Sequence, residues 1–508
     1  MLLPKMLHEQ MRAVAVVGAL ALTAGVVQAQ AAPSLQLATR LTVTSLADDA
    51  ARRQLLAALG EMLDQHPDIQ QARAALQAAG YDIDTAKGER WPSFQIGTDS
   101  GSIETPRGRE SYNALNAEAR LNLLDAGAIS AGIRSAEASE QAQLQVMHGT
   151  RQNVLLEALT ALLELQRHER KAGIAAESAD IVGQLARIEE RRAQLGAVGR
   201  NDLRQAASRQ ASARAQQLAM ESLRQEAQAR FARYFRFTPQ PQWLPALQVP
   251  SQWLPANEAQ AQQAAEANSA ELRELDGVIA AAQAEVDRAK AERFPTVQAV
   301  VSHAYDPEGV LSNDGTRYGV ELNWNFGNGF ELRDRVRKAL TELQSQQSAQ
   351  EGVRRQVQEA ASAGYSRVQA GRARAAELAS AVAEAEAAFQ GRRRLHEAGR
   401  GNLSQVLDAQ LDLQNLLLEQ ADALYDLQLA ELQLARTTGQ LLPFGVQGEW
   451  LAALFFTPGM PQAAPGQPVQ QLVSAPVDVA LRPPMRLRAE RQLARSPGAD
   501  GVQRAGWW

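Results

Sequence analysis

The chain has 508 residues, a formal net charge of -5 and no cysteine. Aromatics make up only 5% of it, while Ala, Leu, Gln, Glu and Arg dominate, a composition of long helices rather than of one compact core. The charge is small and no basic groove with interleaved aromatics is visible, which argues against a nucleic-acid partner. Without cysteine, no disulfide stabilises the fold.

Lys5, His8 and Arg12 precede an apolar run from Ala13 to Val27, followed by small residues suited to cleavage after Ala29 or Ala31. Residues 1–29 therefore read as a cleaved export signal, with Met11 as an alternative start. The run is shorter than the roughly 20 residues of a spanning helix. No later stretch is longer or more apolar, so any part of the chain that crosses a membrane has to do so as β-structure.

Helical spacing over residues 68–90 ends where Pro92 disfavours helix at Trp91. A strand candidate follows at 93–103, and then Leu115, Ala117, Ala119, Leu121 and Leu123 alternate with Asn116, Glu118, Arg120 and Asn122. Period-two alternation gives a strand one apolar and one wet face. A long helix is predicted from Ile129 to Gln194, a turn at Leu195–Asn201 and a returning helix at 203–236. No proline interrupts the stretch from Pro106 to Pro239. Residues 237–256, with Pro239, Pro241, Pro245, Pro250 and Pro255, read as an extended linker.

The same order then returns. Lys290-Ala291-Glu292-Arg293-Phe294-Pro295-Thr296-Val297-Gln298 echoes Lys87-Gly88-Glu89-Arg90-Trp91-Pro92-Ser93-Phe94-Gln95. A strand candidate covers 296–305, and Val320, Leu322, Trp324 and Phe326 alternate with Glu321, Asn323 and Asn325. A second long helix is predicted from Glu331 to Leu395, then a turn at Glu397–Asn402 and a helix at 403–436. Gly399-Arg400-Gly401-Asn402-Leu403 answers Gly199-Arg200-Asn201-Asp202-Leu203. The chain is a duplicated unit, 47–236 and 257–441. Residues 443–508, rich in Pro, Ala, Gln and Arg and without periodicity, read as a disordered tail.

The last helix carries two apolar stripes, one through Val406, Leu413 and Leu417 and one through Leu407, Leu411 and Leu418. Asp408, Asp412, Glu419, Asp422 and Asp426 occupy the remaining face. Such a helix has a neighbour on each side, as in a wall around water or in a multi-helix bundle. No catalytic or metal motif is found: His396-Glu397 begins a zinc-protease helix, but Arg400 stands where its second histidine belongs. The chain reads as no enzyme and as needing no cofactor. Four strands cannot cross a bilayer as an open sheet, because their edges would be left unpaired in hydrocarbon. Several copies pooling their hairpins would close it.

These features together resemble the outer-membrane efflux protein (TolC) family over residues 47–441. The resemblance is carried by the strand-opening prolines Pro92 and Pro295, the passage Leu322-Asn323-Trp324-Asn325-Phe326-Gly327-Asn328-Gly329, and Val406-Leu407-Asp408-Ala409-Gln410. It implies a mostly α fold with a small β part: a helix–β-hairpin–long-helix unit, repeated. It further implies a homotrimer whose transmembrane β-barrel in outer-membrane lipid continues as a periplasmic α-helical barrel. The implied partners are a periplasmic adaptor (membrane fusion) protein and an inner-membrane ABC or RND transporter. Family members line the tunnel mouth with an Asp-Val-Leu-Asp-Ala pattern; Gln405 replaces the first acid here and Asp408 keeps the second, with Asp202 beginning the matching helix of the first repeat. The turns bearing Gly196, Ala197, Gly199, Gly399 and Gly401 would meet the adaptor. The lack of a cysteine for lipid attachment, and the Asn-Trp-Asn-Phe-Gly passage, resemble members that export large adhesins by type I secretion. Multidrug efflux is the alternative, and a poreless periplasmic coiled-coil scaffold the alternative of another class.

Overall fold

The computed structural model describes residues 51–105, 108–196, 199–237, 244–307, 315–325, 327, 330–443 and 448–455. The export-signal reading of 1–29 and the Ala197 tip therefore lie outside the described residues. A helix over 51–65 (α1) buries Leu55, Leu59, Met62 and Leu63, a single apolar stripe at helical spacing. α2 (Pro67–Gly88) follows at once, with Pro67 in its first turn and His66 accepting from the Asp68 amide at 3.4 Å.

Four strands form one antiparallel sheet in chain order: β1 (Ser93–Thr105), β2 (Gly108–Leu124), β3 (Thr296–Tyr305) and β4 (Gly315–Asn323). The β2–β3 pairing joins the repeats, from Leu115 opposite Tyr305 to Leu124 opposite Val297. β2 begins earlier than its alternation suggests because β1 pairs with it along its whole length, from Ser93–Arg120 to Thr105–Gly108. β4 ends earlier than expected. Asn323 lies opposite Thr296, and Pro295 beyond has no N–H to extend the ladder. Trp324 leaves the sheet and donates its indole N–H to the Arg293 carbonyl at 3.3 Å; Phe326 lies outside the described residues.

The helices are α3 (Ala128–Gln194), α4 (Arg200–Phe235), α5 (Glu258–Asn268), α6 (Ala270–Ala291), α7 (Glu331–Glu397) and α8 (Leu403–Thr437). Asp125 opens α3, accepting from the amides of Gly127 at 3.1 Å and Ile129 at 2.6 Å. The repeat landmarks keep one offset: Ser93 with Thr296, Ala128 with Glu331, Gln194 with Glu397 and Arg200 with Leu403. Gly196 (φ 73°) and Gly399 (φ 72°) close the long helices in the same left-handed conformation. That offset corrects the turn alignment read from the letters by three residues. Gly199 caps α4 where Asn402 caps α8, so Asp202 corresponds to Gln405 and Gln205 to Asp408.

Midway along α3, a core gathers Leu155, Leu159, Leu162 and Leu165 with α1, Phe231 and Phe235 of α4, and Leu432 of α8. Two segments expected to be unpacked belong to it. Leu247, Val249 and Trp253, within the region read as an extended linker, are buried. So are Leu451, Leu454 and Phe455, at the start of the region read as a disordered tail. Leu247 bridges Phe455, the Gln248 amide donates to the Leu454 carbonyl at 2.8 Å, and the Trp253 and Trp450 rings stack at 4.8 Å. Residues 456–508 lie outside the described residues. Among the described residues, no helix is long and apolar enough to cross a membrane.

Candidate functional site

Two regions carry the candidate chemistry: the sheet, and the ends of the long helices. Pro92 and Pro295 sit immediately before β1 and β3. From there the side chains alternate, and the register puts like with like. Phe94, Ile96, Leu115, Val301, Tyr305, Tyr318, Val320 and Leu322 share one face. They are strongly exposed in the single chain, Phe94 at 79% and Tyr318 at 85%. The other face carries Gln95, Glu118, Ser302 and Arg317 in one cross-strand row, Ser93, Arg120, Val300 and Gly319 in the next, and Asn122, Gln298 and Glu321 in the third. Gln298 donates to Asn122 at 2.6 Å, and Arg120 pairs with Glu118. Tyr112 lies over Gly101, where a Cβ would stand 2.9 Å from the phenol oxygen. Thr98, His303 and Thr316 also fall on this face, which is otherwise apolar; so much exposed apolar surface on a thin sheet needs lipid or protein against it.

At the far ends of the helices a second core holds Val182 and Leu185 of α3, Ala206 of α4, Phe389 of α7 and Leu403, Val406 and Leu407 of α8. The candidate entrance residues surround it. Asp202 and Gln405 are exposed in the first turns of α4 and α8. Asp408 is half-exposed and is held from the first repeat, with Arg209 of α4 donating to it at 2.9 Å. Gln205 donates to Ser404 at 3.2 Å beside it. Asp412 and Glu419 do not share this setting. They line a groove of about 450 Å³ between α7 and α8 with Ala388, Arg392 and Asn415.

Farther along, Asp422 and Asp426 are not a free wet face either. Arg167 pairs with both, and Lys171 meets Asp422 at 2.9 Å. Neighbouring His168 is driven below the usual histidine range by burial and by the charges of Lys171 and Arg167. At the turns, Gly401 leaves little room for a side chain, since a Cβ would lie 3.0 Å from the His396 amide nitrogen.

The sequence reading missed Arg209 and Glu189 as site residues, and treated His396 only as a broken zinc motif. Glu189 and His396 are buried and meet at 2.9 Å between α3 and α7. A carboxylate on a helix face gives no sign of its partner in a helix two hundred residues away, so nothing in the letters marked the pair. Among the described residues, no His, Asp and Glu cluster is arranged to hold a metal ion.

Comparison with known proteins places this geometry. The profile of the outer membrane efflux protein family matches residues 58–235 and 261–440. Protein CyaE of Bordetella pertussis is 27% identical over 402 residues, covering 76% of this chain and 83% of that protein. The fold is similar to the outer membrane protein VceC of Vibrio cholerae, with a TM-score of 0.64 at 19% identity over 77% of this chain and 96% of that one. It is also similar to the MtrE outer membrane channel of Neisseria gonorrhoeae, with a TM-score of 0.62 at 13% identity over 77% and 90% of the two chains.

Proposed function

The chain belongs to the outer membrane efflux protein family, and we propose that it forms the outer-membrane conduit of a type I protein secretion system. The observation that carries the channel part is the two-faced sheet. One face is exposed and largely apolar, the other is largely polar and charged, and both edge strands, β1 and β4, lack a partner within the described residues. Three copies joined edge to edge would pair those edges, turn the apolar face to lipid and enclose the polar one, leaving no backbone group unpaired in hydrocarbon. A poreless scaffold gives the apolar face nothing to meet.

The helices would then continue the conduit through the periplasm. The turns at Gly196–Gly199 and Gly399–Asn402 would face an adaptor and its inner-membrane pump, with adhesin-like proteins as cargo. The secretion reading is supported by the Asn-Trp-Asn-Phe-Gly passage. Single-channel recording in a planar bilayer tests the pore: discrete conductance steps are expected, and protein that inserts without conducting would overturn it.

Asp408 is proposed to contribute the acidic group at the entrance, repeated once per copy. Carboxylates converging on a narrow mouth raise the local cation concentration. Asp408→Asn is expected to lower cation selectivity, with an effect that shrinks at high salt. Identical reversal potentials for the two proteins in a salt gradient would place Asp408 outside the pore.

A further inference from the structure

Along the seam where α3 meets α8, one layer is polar. Ser178 of α3 and Gln410 and Gln414 of α8 are 2%, 3% and 3% exposed. The Ser178 hydroxyl is used both ways: it donates to the Gln414 Oε1 at 2.7 Å and accepts from the Gln410 Nε2 at 3.3 Å. That leaves the Gln410 Oε1 and the Gln414 Nε2, both closed off from solvent, with no hydrogen-bond partner among the described residues. One is an acceptor and the other a donor, and their residues stand one turn apart on the same face of α8. The layers on either side are apolar. Toward the tip lie Val182 of α3 and Val406, Leu407 and Leu413 of α8; toward the sheet lie Ile174, Leu418 and Ala421. Beyond those, Arg167 and Lys171 staple α3 to Asp422 and Asp426.

We infer that Ser178, Gln410 and Gln414 form a water-binding layer, and that the α3–α8 seam yields at this layer before it yields at the apolar ones. Closely packed, the two unpaired groups forfeit the hydration they had in the unfolded chain. One water that accepts from the Gln414 Nε2 and donates to the Gln410 Oε1 restores it, with Ser178 as a third polar group in the same layer. Parting the apolar layers exposes surface with no such return. The ion pairs hold the two helices together on the sheet side, so the tip side of the seam is the part free to move. Asp408 stands two residues from Gln410, and movement at the layer also shifts that acid relative to Arg209 of α4. None of this depends on the channel reading.

The chain has no cysteine, so one introduced thiol reports its own site. Val182→Cys places it one turn from Ser178 on the same face of α3, at a position 7% exposed. Ala213→Cys places it in the same tip core but on α4, off the seam, at a position 8% exposed. Each is made in the parent and in Ser178→Ala/Gln410→Met/Gln414→Met, which nearly keeps side-chain volume and removes every side-chain polar group of the layer. The full-length assembled protein is reacted with methyl methanethiosulfonate, a small uncharged reagent. In the parent, Val182→Cys is expected to react several-fold faster than Ala213→Cys. With the layer made apolar its rate should fall several-fold, the rate of Ala213→Cys should stay the same, and the melting temperature should rise. Equal rates at the two positions in the parent overturn the proposal, as does a Val182→Cys rate that the apolar layer leaves unchanged. Should the triple variant fail to fold, the parent comparison decides alone.

Discussion

α3 and α7 are each 67 residues long, yet they live in different surroundings. α3 is buried along most of its length, packed by α2, α4, α6 and α8. α7 buries only Leu343, Ala361, Gly364, Val368, Phe389 and His396. The letters agree with the packing. Leu155, Leu159 and Leu162 of α3 correspond to Gln358, Ser362 and Tyr365 of α7. Duplication preserved the length of the helix, and its burial was rewritten by whatever packs beside it. In the proposed assembly, the face that α7 leaves open is the one a second copy would cover.

Removing what braces α3 should have the largest effect. Ending the chain after Pro443 deletes Trp450, Leu451, Leu454 and Phe455 from the mid-level core, and burial of one such Leu or Phe is worth about 2–5 kcal/mol. The shortened protein should fail to assemble in size-exclusion chromatography, while ending after Phe456 should leave assembly and melting unchanged. Equal behaviour of the two would mean that the 448–455 segment braces nothing.

Next in size is the pair Leu162→Ala and Leu340→Ala. Leu162 is fully buried, and its truncation should cost about 2–5 kcal/mol. Leu340 on α7 is exposed in the single chain, where its truncation should stay within about 0.5 kcal/mol. Denaturant unfolding at several protein concentrations sharpens the comparison: a cost for Leu340→Ala that grows with assembly identifies the covered face. A third contrast uses two glycines. At Gly277 of α6 a Cβ would lie 2.9 Å from the Ala142 backbone nitrogen, so Gly277→Ala should cost about 1–3 kcal/mol. At Gly364 of α7 it would meet only a Leu434 methyl at 3.3 Å, which can move aside, so thermal melts should rank Gly364→Ala well below Gly277→Ala.

The smallest effect is a pH dependence. Burial pushes the Glu271 carboxyl up, but Arg436 at 2.6 Å and Ser269 hold it below the usual carboxylate range. A depressed acid stabilises the fold fully above its unfolded value of about 4.3 and loses that contribution as pH falls through the folded one. The pair is half-exposed, so the loss on acidification should be about 0.5 kcal/mol. Glu271→Gln should remove that part of the acid sensitivity in a melting series from pH 6 to pH 3, and an unchanged slope would show that Arg436 is held otherwise.

The repeat was legible where a period changes abruptly. Pro92 and Pro295 end helical spacing and start alternation, and the long helices run uninterrupted by proline. The mid-level core was not legible, because 3-10 turns and single residues such as Trp253, Trp450 and Phe455 pack without any period. The turns misled for another reason. Gly-Arg and Leu recur at both, but backbone geometry fixes equivalence by the left-handed glycines Gly196 and Gly399. At the entrance, Asp408 was visible as an acid opening a helix, whereas its partner Arg209 lies 199 residues away in the other repeat. The corrected register shows why no acidic pattern is complete. The first repeat has Asp202 then Gln205, and the second has Gln405 then Asp408.

The equal length of α3 and α7 makes the pair a matched ruler. At 1.5 Å per residue each spans about 100 Å, and at about 100° per residue every insertion also turns the helix. One added residue in α7 alone would rotate everything beyond it, pulling His396 away from Glu189 and Asp408 out of reach of Arg209. A seven-residue deletion nearly restores the rotation but shortens one post by about 10 Å, leaving the tips at different levels. The reach of this molecule can change only in whole steps of about two turns, taken in both repeats and in both arms of each hairpin. Any neighbour that meets the tips has to be fitted to one of a few discrete lengths.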